Sequence, residues 1–147
     1  MATDHFVGVV GGGLMGVGIA TRFALAGHAT LVVEADPARA AGIPLLAADI
    51  LSQLVDAGLI DVPRRDAALA RLRVEGEPAL LAGAAMVIEA IPEVLAAKHA
   101  LYAKLEGSLA PDAIIASNTS GFRRTRCPNI WRSRHASWWR TSGIRRT

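Results

Sequence analysis

Phe6-Val7-Gly8-Val9-Val10 runs directly into Gly11-Gly12-Gly13-Leu14-Met15-Gly16, and this junction decides the fold. The first five residues are a short apolar run of the kind that forms a buried strand. The stretch after the glycines, Leu14 to Ala26, has the pattern of a helix, with Ile19, Phe23 and Ala26 on one face and Gly27 closing it. The glycines themselves satisfy G-x-G-x-x-G. Gly11 permits a tight turn, Gly13 lets backbone approach a pyrophosphate, and Gly16 lets the helix pack close to the strand. A helix N-terminus presents unpaired N–H groups and a partial positive charge, which suits that anion.

Working outward, Ala29 to Val33 reads as a second strand that ends at Glu34-Ala35-Asp36. Asp36 is a good helix N-cap with Pro37 at the first helical position. The helix it opens extends to about Ala57, with Leu46, Ile50, Leu51 and Leu54 on its apolar face. Another short helix starts at Asp61-Val62-Pro63, followed by a short strand at Leu72-Arg73-Val74. A clear strand covers Ala85-Met86-Val87-Ile88-Glu89, a helix covers Glu93 to Leu109, and Ala113 to Ala116 forms a further strand. The last of these runs into Ser117-Asn118-Thr119-Ser120. Alternating strands and helices predict an α/β fold, a Rossmann-type doubly wound parallel sheet with right-handed crossovers.

Within that frame the glycine turn predicts dinucleotide binding. Glu34 stands 18 residues after Gly16, close to the spacing of the acid that holds a ribose. A carboxylate there accepts hydrogen bonds from the ribose hydroxyls and repels a 2′-phosphate, which favours NAD over NADP. A solvated loop acid is the alternative for Glu34. Asp36 could also hold the ribose, although its cap role accounts for it, and nearby Arg39 softens the exclusion of NADP.

Bulk composition excludes several other classes. The 147 residues suffice for one domain with a real core, and 52% of them are hydrophobic. No apolar stretch approaches the roughly 20 residues of a membrane span, and the N-terminus lacks a signal-peptide pattern. One cysteine, Cys127, forms neither a disulfide framework nor a zinc cluster, so no metal site is expected and the cytoplasm is the default compartment. The net charge of +3 averages two unlike pieces. Residues 1–122 hold 8 Lys and Arg against 13 Asp and Glu, whereas residues 123–147 hold 8 Arg and no acid. All three tryptophans, Trp131, Trp138 and Trp139, lie in the second piece.

Three motifs in order carry a family resemblance over residues 6–122. They are Val9-Val10-Gly11-Gly12-Gly13-Leu14-Met15-Gly16, Val87-Ile88-Glu89-Ala90-Ile91-Pro92-Glu93, and Ala116-Ser117-Asn118-Thr119-Ser120. Together they resemble the N-terminal, NAD-binding domain of the L-3-hydroxyacyl-CoA dehydrogenases and their relatives. The resemblance implies that Gly11, Gly12, Gly13, Leu14, Met15, Gly16 and Glu34 bind NAD. It also implies that Glu93 and Lys98 contact the nicotinamide-ribose side, and that Ser120 hydrogen-bonds the substrate's 3-hydroxyl. In that family an imidazole takes the hydroxyl proton while hydride passes to NAD⁺, a role suited to the histidine pKa. Simpler roles stay open: an acid at a helix start for Glu93, a solvated helix lysine for Lys98, turn caps for Ser117 and Thr119.

Two departures qualify the resemblance. CoA-binding members carry lysines in the segment matching residues 55–60, where this chain has Ala57 and Leu59. A relative acting on a free hydroxy acid, of the gulonate or carnitine type, therefore stays open beside the acyl-CoA substrate. The family also continues into a strand ending in His-Phe-x-Asn-Pro and a helical substrate and dimer domain, and this chain carries neither. The expectation is a small-molecule enzyme whose intact parent is a homodimer, with no nucleic-acid and no membrane partner.

The change of composition after Phe122 admits three readings: a nucleic-acid-binding tail, a disordered cationic extension, or a shifted reading frame. Ser137-Trp138-Trp139-Arg140-Thr141, read one base out of frame, is compatible with three apolar residues followed by Ala-His. Ser142-Gly143-Ile144-Arg145-Arg146 is likewise compatible with Phe-Trp-Asn-Pro-Pro, so the missing motif falls where the family places it. The expectation is therefore a domain of residues 1–122 followed by an aberrant segment, 123–147, in which His135 and Cys127 have no catalytic role.

Overall fold

A computed structural model describes residues 6–118. Five parallel strands form one sheet: β1 (Phe6–Val10), β2 (Thr30–Val33), β3 (Leu72–Glu75), β4 (Ala84–Glu89) and β5 (Ile114–Ser117). Their order is β3-β2-β1-β4-β5, so the chain steps outward from β1 in one direction, then returns to its other side. The helices are α1 (Leu14–Leu25), α2 (Pro37–Asp56), α3 (Val62–Leu69) and α4 (Leu95–Ser108). This is the doubly wound sheet expected from the alternating pattern.

Both faces of the sheet are covered, and the alternation along β1 shows how. Val7 and Val9 point to the side of α1 and α2, packing with Val17, Ala20, Ile43 and Ala47. Val10 points to the other side, with Val87, Leu101, Tyr102 and Leu105. A strand buried on both faces needs apolar residues at consecutive positions, which explains the unbroken runs read from the sequence. Between β3 and β4 a single 3-10 turn, Pro78–Leu81, replaces a crossover helix. Its Leu81 is fully buried and occupies the space that a side chain at Gly8 would need.

The helical faces differ in detail from expectation. On α1 the buried residues are Gly16, Val17, Ala20, Thr21 and Ala24; Ile19 and Phe23 are half-buried and Ala26 is exposed. Small residues let α1 approach the sheet so closely that its larger side chains are pushed to the flanks. On α2 the stripe Ile43, Ala47, Leu51 is buried, and Leu46, Ile50 and Leu54 sit beside it. Helix α4 begins at Leu95 rather than Glu93, because the Val94 N–H turns back to the Pro92 carbonyl at 2.7 Å.

The expectation that no stretch reaches membrane-spanning length also needs correction. Helix α2 has 20 residues with a mean hydropathy of 1.3 over its most apolar window, long and apolar enough to cross a membrane. Its leucines, isoleucines and valine supply most of that hydropathy. One stripe of α2, however, packs on the sheet, and Arg39, Pro44 and Asp49 are exposed on the rest of the helix.

The Asp36 cap forms as its sequence requires: its carboxylate accepts from the N–H groups of Ala38 (2.9 Å) and Arg39 (3.3 Å). Asp36→Ala leaves those donors to solvent and is expected to cost about 1 kcal/mol, measured as a shift in the denaturation midpoint with unchanged slope.

Candidate cofactor site

The sheet order reverses between β1 and β4, and the connections leaving these two strands go to opposite faces. A crevice must therefore open beyond their C-terminal ends. An open cleft of about 920 Å³ lies there. One wall is the β1–α1 turn, residues 11–16; the other is the β4–α4 turn, Ala90 to Val94; Glu34 and Arg39 close the β2 end.

The turn is held by contacts that tolerate no larger residue. Gly11 has φ +111°, and a β-carbon there would stand 2.6 Å from the Ala90 carbonyl oxygen. A β-carbon at Gly16 would overlap the Gly11 carbonyl oxygen. At Gly13, by contrast, nothing lies within 4 Å of the β-carbon position, so the backbone is open toward the cleft. Gly13 caps α1 without any side-chain hydrogen bond, and no acid occupies the first turn. The N–H groups at the start of α1 are thus available to an anion. Leu14 and Met15 line the cleft and are 68% and 61% exposed.

Glu34 is buried rather than solvated. Its carboxylate accepts from the N–H of Gly12 at 2.9 Å and of Asp36 at 3.0 Å, and pairs with the Arg39 guanidinium at 3.3 Å. A carboxylate has about four acceptor positions, so room remains for a ribose hydroxyl. The solvated-acid alternative fails, and Asp36 is occupied as a cap.

At the other end, the solvated-lysine alternative for Lys98 fails, while Lys98 itself is not among the residues lining the cleft, where the resemblance has it contact the cofactor. It is buried, with its ammonium 3.1 Å from Glu89 and 3.2 Å from Glu93. Glu93 lines the cleft; Lys98 stands behind it. Glu89, fully buried at the end of β4, accepts from the Ile91 N–H, the Tyr102 hydroxyl and the Ser117 hydroxyl. Ser117 therefore joins this network instead of capping a turn, and Asn118 beside it lines the cleft. Glu89 and Tyr102 escaped the reading of the sequence, though a carboxylate at the end of an apolar strand was a signal that could have found them. Ser120 lies outside the described residues, as does the segment 123–147. Of the described histidines, His28 and His99, neither lines the cleft. Among the described residues no cluster of three or more potential metal ligands exists.

Comparison with known proteins gives the site its context. The sequence model of the 3-hydroxyacyl-CoA dehydrogenase NAD-binding domain matches residues 6–134. The chain belongs to that family. NAD is accordingly its cofactor, and the open Gly13 backbone, uncapped α1 and buried Glu34 fit it. A 3-hydroxybutyryl-CoA dehydrogenase of Mycobacterium tuberculosis is 38% identical over 115 residues, 78% of this chain and 40% of that protein. An L-carnitine dehydrogenase/betainyl-CoA thioesterase of Agrobacterium fabrum is 32% identical over 120 residues, 80% of this chain and 24% of the relative. Among solved structures, (S)-3-hydroxybutyryl-CoA dehydrogenase from Ralstonia eutropha superposes with a TM-score of 0.79 at 29% identity, covering 86% of this chain and 44% of that one. The chain thus spans less than half the length of each of these relatives.

Proposed function

We propose that this chain is the NAD-binding part of an oxidoreductase that oxidises the 3-hydroxyl of a 3-hydroxyacyl-CoA. The observation that carries the reading is Glu34, buried at the β2 end of the cleft and bonded to Gly12 of the phosphate turn. In this reading residues 11–16 hold the pyrophosphate, Glu34 the adenosine ribose, and Glu93, backed by Lys98, the nicotinamide ribose. Bound there, NAD⁺ supplies a hydride acceptor. Ser120 holds the substrate hydroxyl, and the base that takes its proton is a histidine other than His28 and His99. By itself the 147-residue chain is expected to give no measurable turnover.

A second reading, a hydroxy acid without CoA, draws on Ala57 and Leu59, where CoA-binding members carry lysines. It draws also on the likeness to a carnitine dehydrogenase. In both readings the partner is a small molecule.

Titration calorimetry tests the proposal. NAD is expected to bind at least 10-fold more tightly than NADP, and failure to bind NAD overturns the reading. Glu34→Ala is expected to lower NAD affinity about 10-fold, since hydrogen bonds to a charged acceptor contribute about 1.5–3 kcal/mol each. The preference over NADP should shrink at the same time, because the repelling charge is gone while Arg39 stays.

A further inference from the structure

We infer that Glu89 is a positioning residue for the nicotinamide end of the cleft, acting through Lys98 and the β4–α4 turn without touching the cofactor. The inference rests on the NAD-binding reading above. Glu89 does not line the cleft, yet three of its partners lead to residues that do. Its Oε1 accepts from the Ile91 N–H at 2.9 Å, fixing the turn from Ala90 to Val94 that forms one wall. Its Oε2 lies 3.1 Å from the Lys98 ammonium, which in turn stands 3.2 Å from Glu93 on the cleft surface. The same oxygen accepts from the Ser117 hydroxyl, and the Glu89 carbonyl accepts from the Asn118 N–H at 2.8 Å. Asn118 lines the cleft from β5. Tyr102, donating to Oε2 at 2.8 Å, fixes the carboxylate from α4.

Glu89 therefore ties α4, β4 and β5 together on the β4 side of the cleft. Among the described residues its hydrogen bonds and ion pairs include none to Gly13 or Glu34, although the turn it fixes meets the phosphate turn where the Ala90 carbonyl faces Gly11. Where a neutral side chain replaces Glu89, the Lys98 ammonium retains its ion pair with Glu93. It is then drawn onto Glu93 and withdraws that side chain from the ribose hydroxyls.

The geometry dictates an asymmetric effect. Glu89→Gln keeps the shape and one acceptor oxygen, so NAD affinity is expected to fall about 10-fold while ADP affinity changes less than 2-fold. ADP occupies only the adenosine and pyrophosphate positions, so a merely structural loss would weaken both ligands alike. Both are titrated calorimetrically into the 147-residue chain, with a thermal melt as the fold check. Tyr102→Phe removes one bond to the carboxylate and keeps its charge. It is expected to show the same split at about 3-fold, and it carries the test if Glu89→Gln does not melt cooperatively. Equal losses for NAD and ADP, or no loss for either, overturn the inference and leave the NAD-binding reading standing. Failure of the unsubstituted chain to bind either ligand overturns that reading, and this inference with it.

Discussion

Gly16→Ala is expected to abolish NAD binding and to lower the melting temperature by on the order of 10 °C. The added methyl would overlap the carbonyl oxygen of Gly11 and stand 3.0 Å from its carbonyl carbon. Overpacking against a flexible side chain can be relieved by a rotamer change, but here the obstacle is backbone. Gly11 cannot retreat, because its own α-carbon faces the Ala90 carbonyl on β4's side of the crevice. A cost of about 3 kcal/mol, at the upper end of the range for overpacking, follows. Gly18→Ala on the same helix supplies the control. Nothing lies within 4 Å of a β-carbon there, so alanine should stabilise α1 by roughly 0.5–1 kcal/mol and leave binding intact. A melt of Gly16→Ala indistinguishable from that of Gly18→Ala would show that the turn and helix are not in close contact.

Lys98→Met is expected to cost about 3–5 kcal/mol, because it strands the fully buried Glu89 carboxylate without its cation. The second ion pair, to Glu93, contributes less, since that carboxylate is 43% exposed and screened by water. The size of the effect separates an uncompensated charge from lost packing. Methionine keeps most of the lysine stem's volume, so packing alone predicts a small change. Adding Glu89→Gln to Lys98→Met removes the orphaned charge and should restore part of the loss, a non-additivity read by chemical denaturation of all four proteins. A loss within 1 kcal/mol for Lys98→Met would mean that the carboxylate finds another cation or water.

Much of this fold was legible in the sequence because its strongest signals are local. Phe6–Val10 followed by the glycines, the Asp36-Pro37 cap, and the apolar runs of β4 and β5 each declare their element within a few residues. What escaped depends on contacts between distant segments. The Glu89 network joins β4 to α4 and β5, across separations of 13 and 28 residues for Tyr102 and Ser117. No periodicity marks such a convergence. The burial of Lys98 escapes local patterns for the same reason, since it is decided by the two carboxylates on preceding segments. The buried face of α1 was misjudged because size-based reasoning prefers Ile19 and Phe23, whereas close helix–sheet contact selects Val17, Ala20 and Ala24. The 3-10 turn at Pro78–Leu81 had no periodic pattern to announce it.

The double attachment of Glu34 bears on how this domain could change over evolutionary time. The side chain that would turn away a 2′-phosphate is also the one that anchors the Gly12 amide. A mutation that relaxes cofactor preference therefore weakens the scaffold in the same stroke. Drift toward NADP by a single substitution at this position should be selected against even where NADP is abundant. A viable route would first install another acceptor for the Gly12 amide, and only then release the acid.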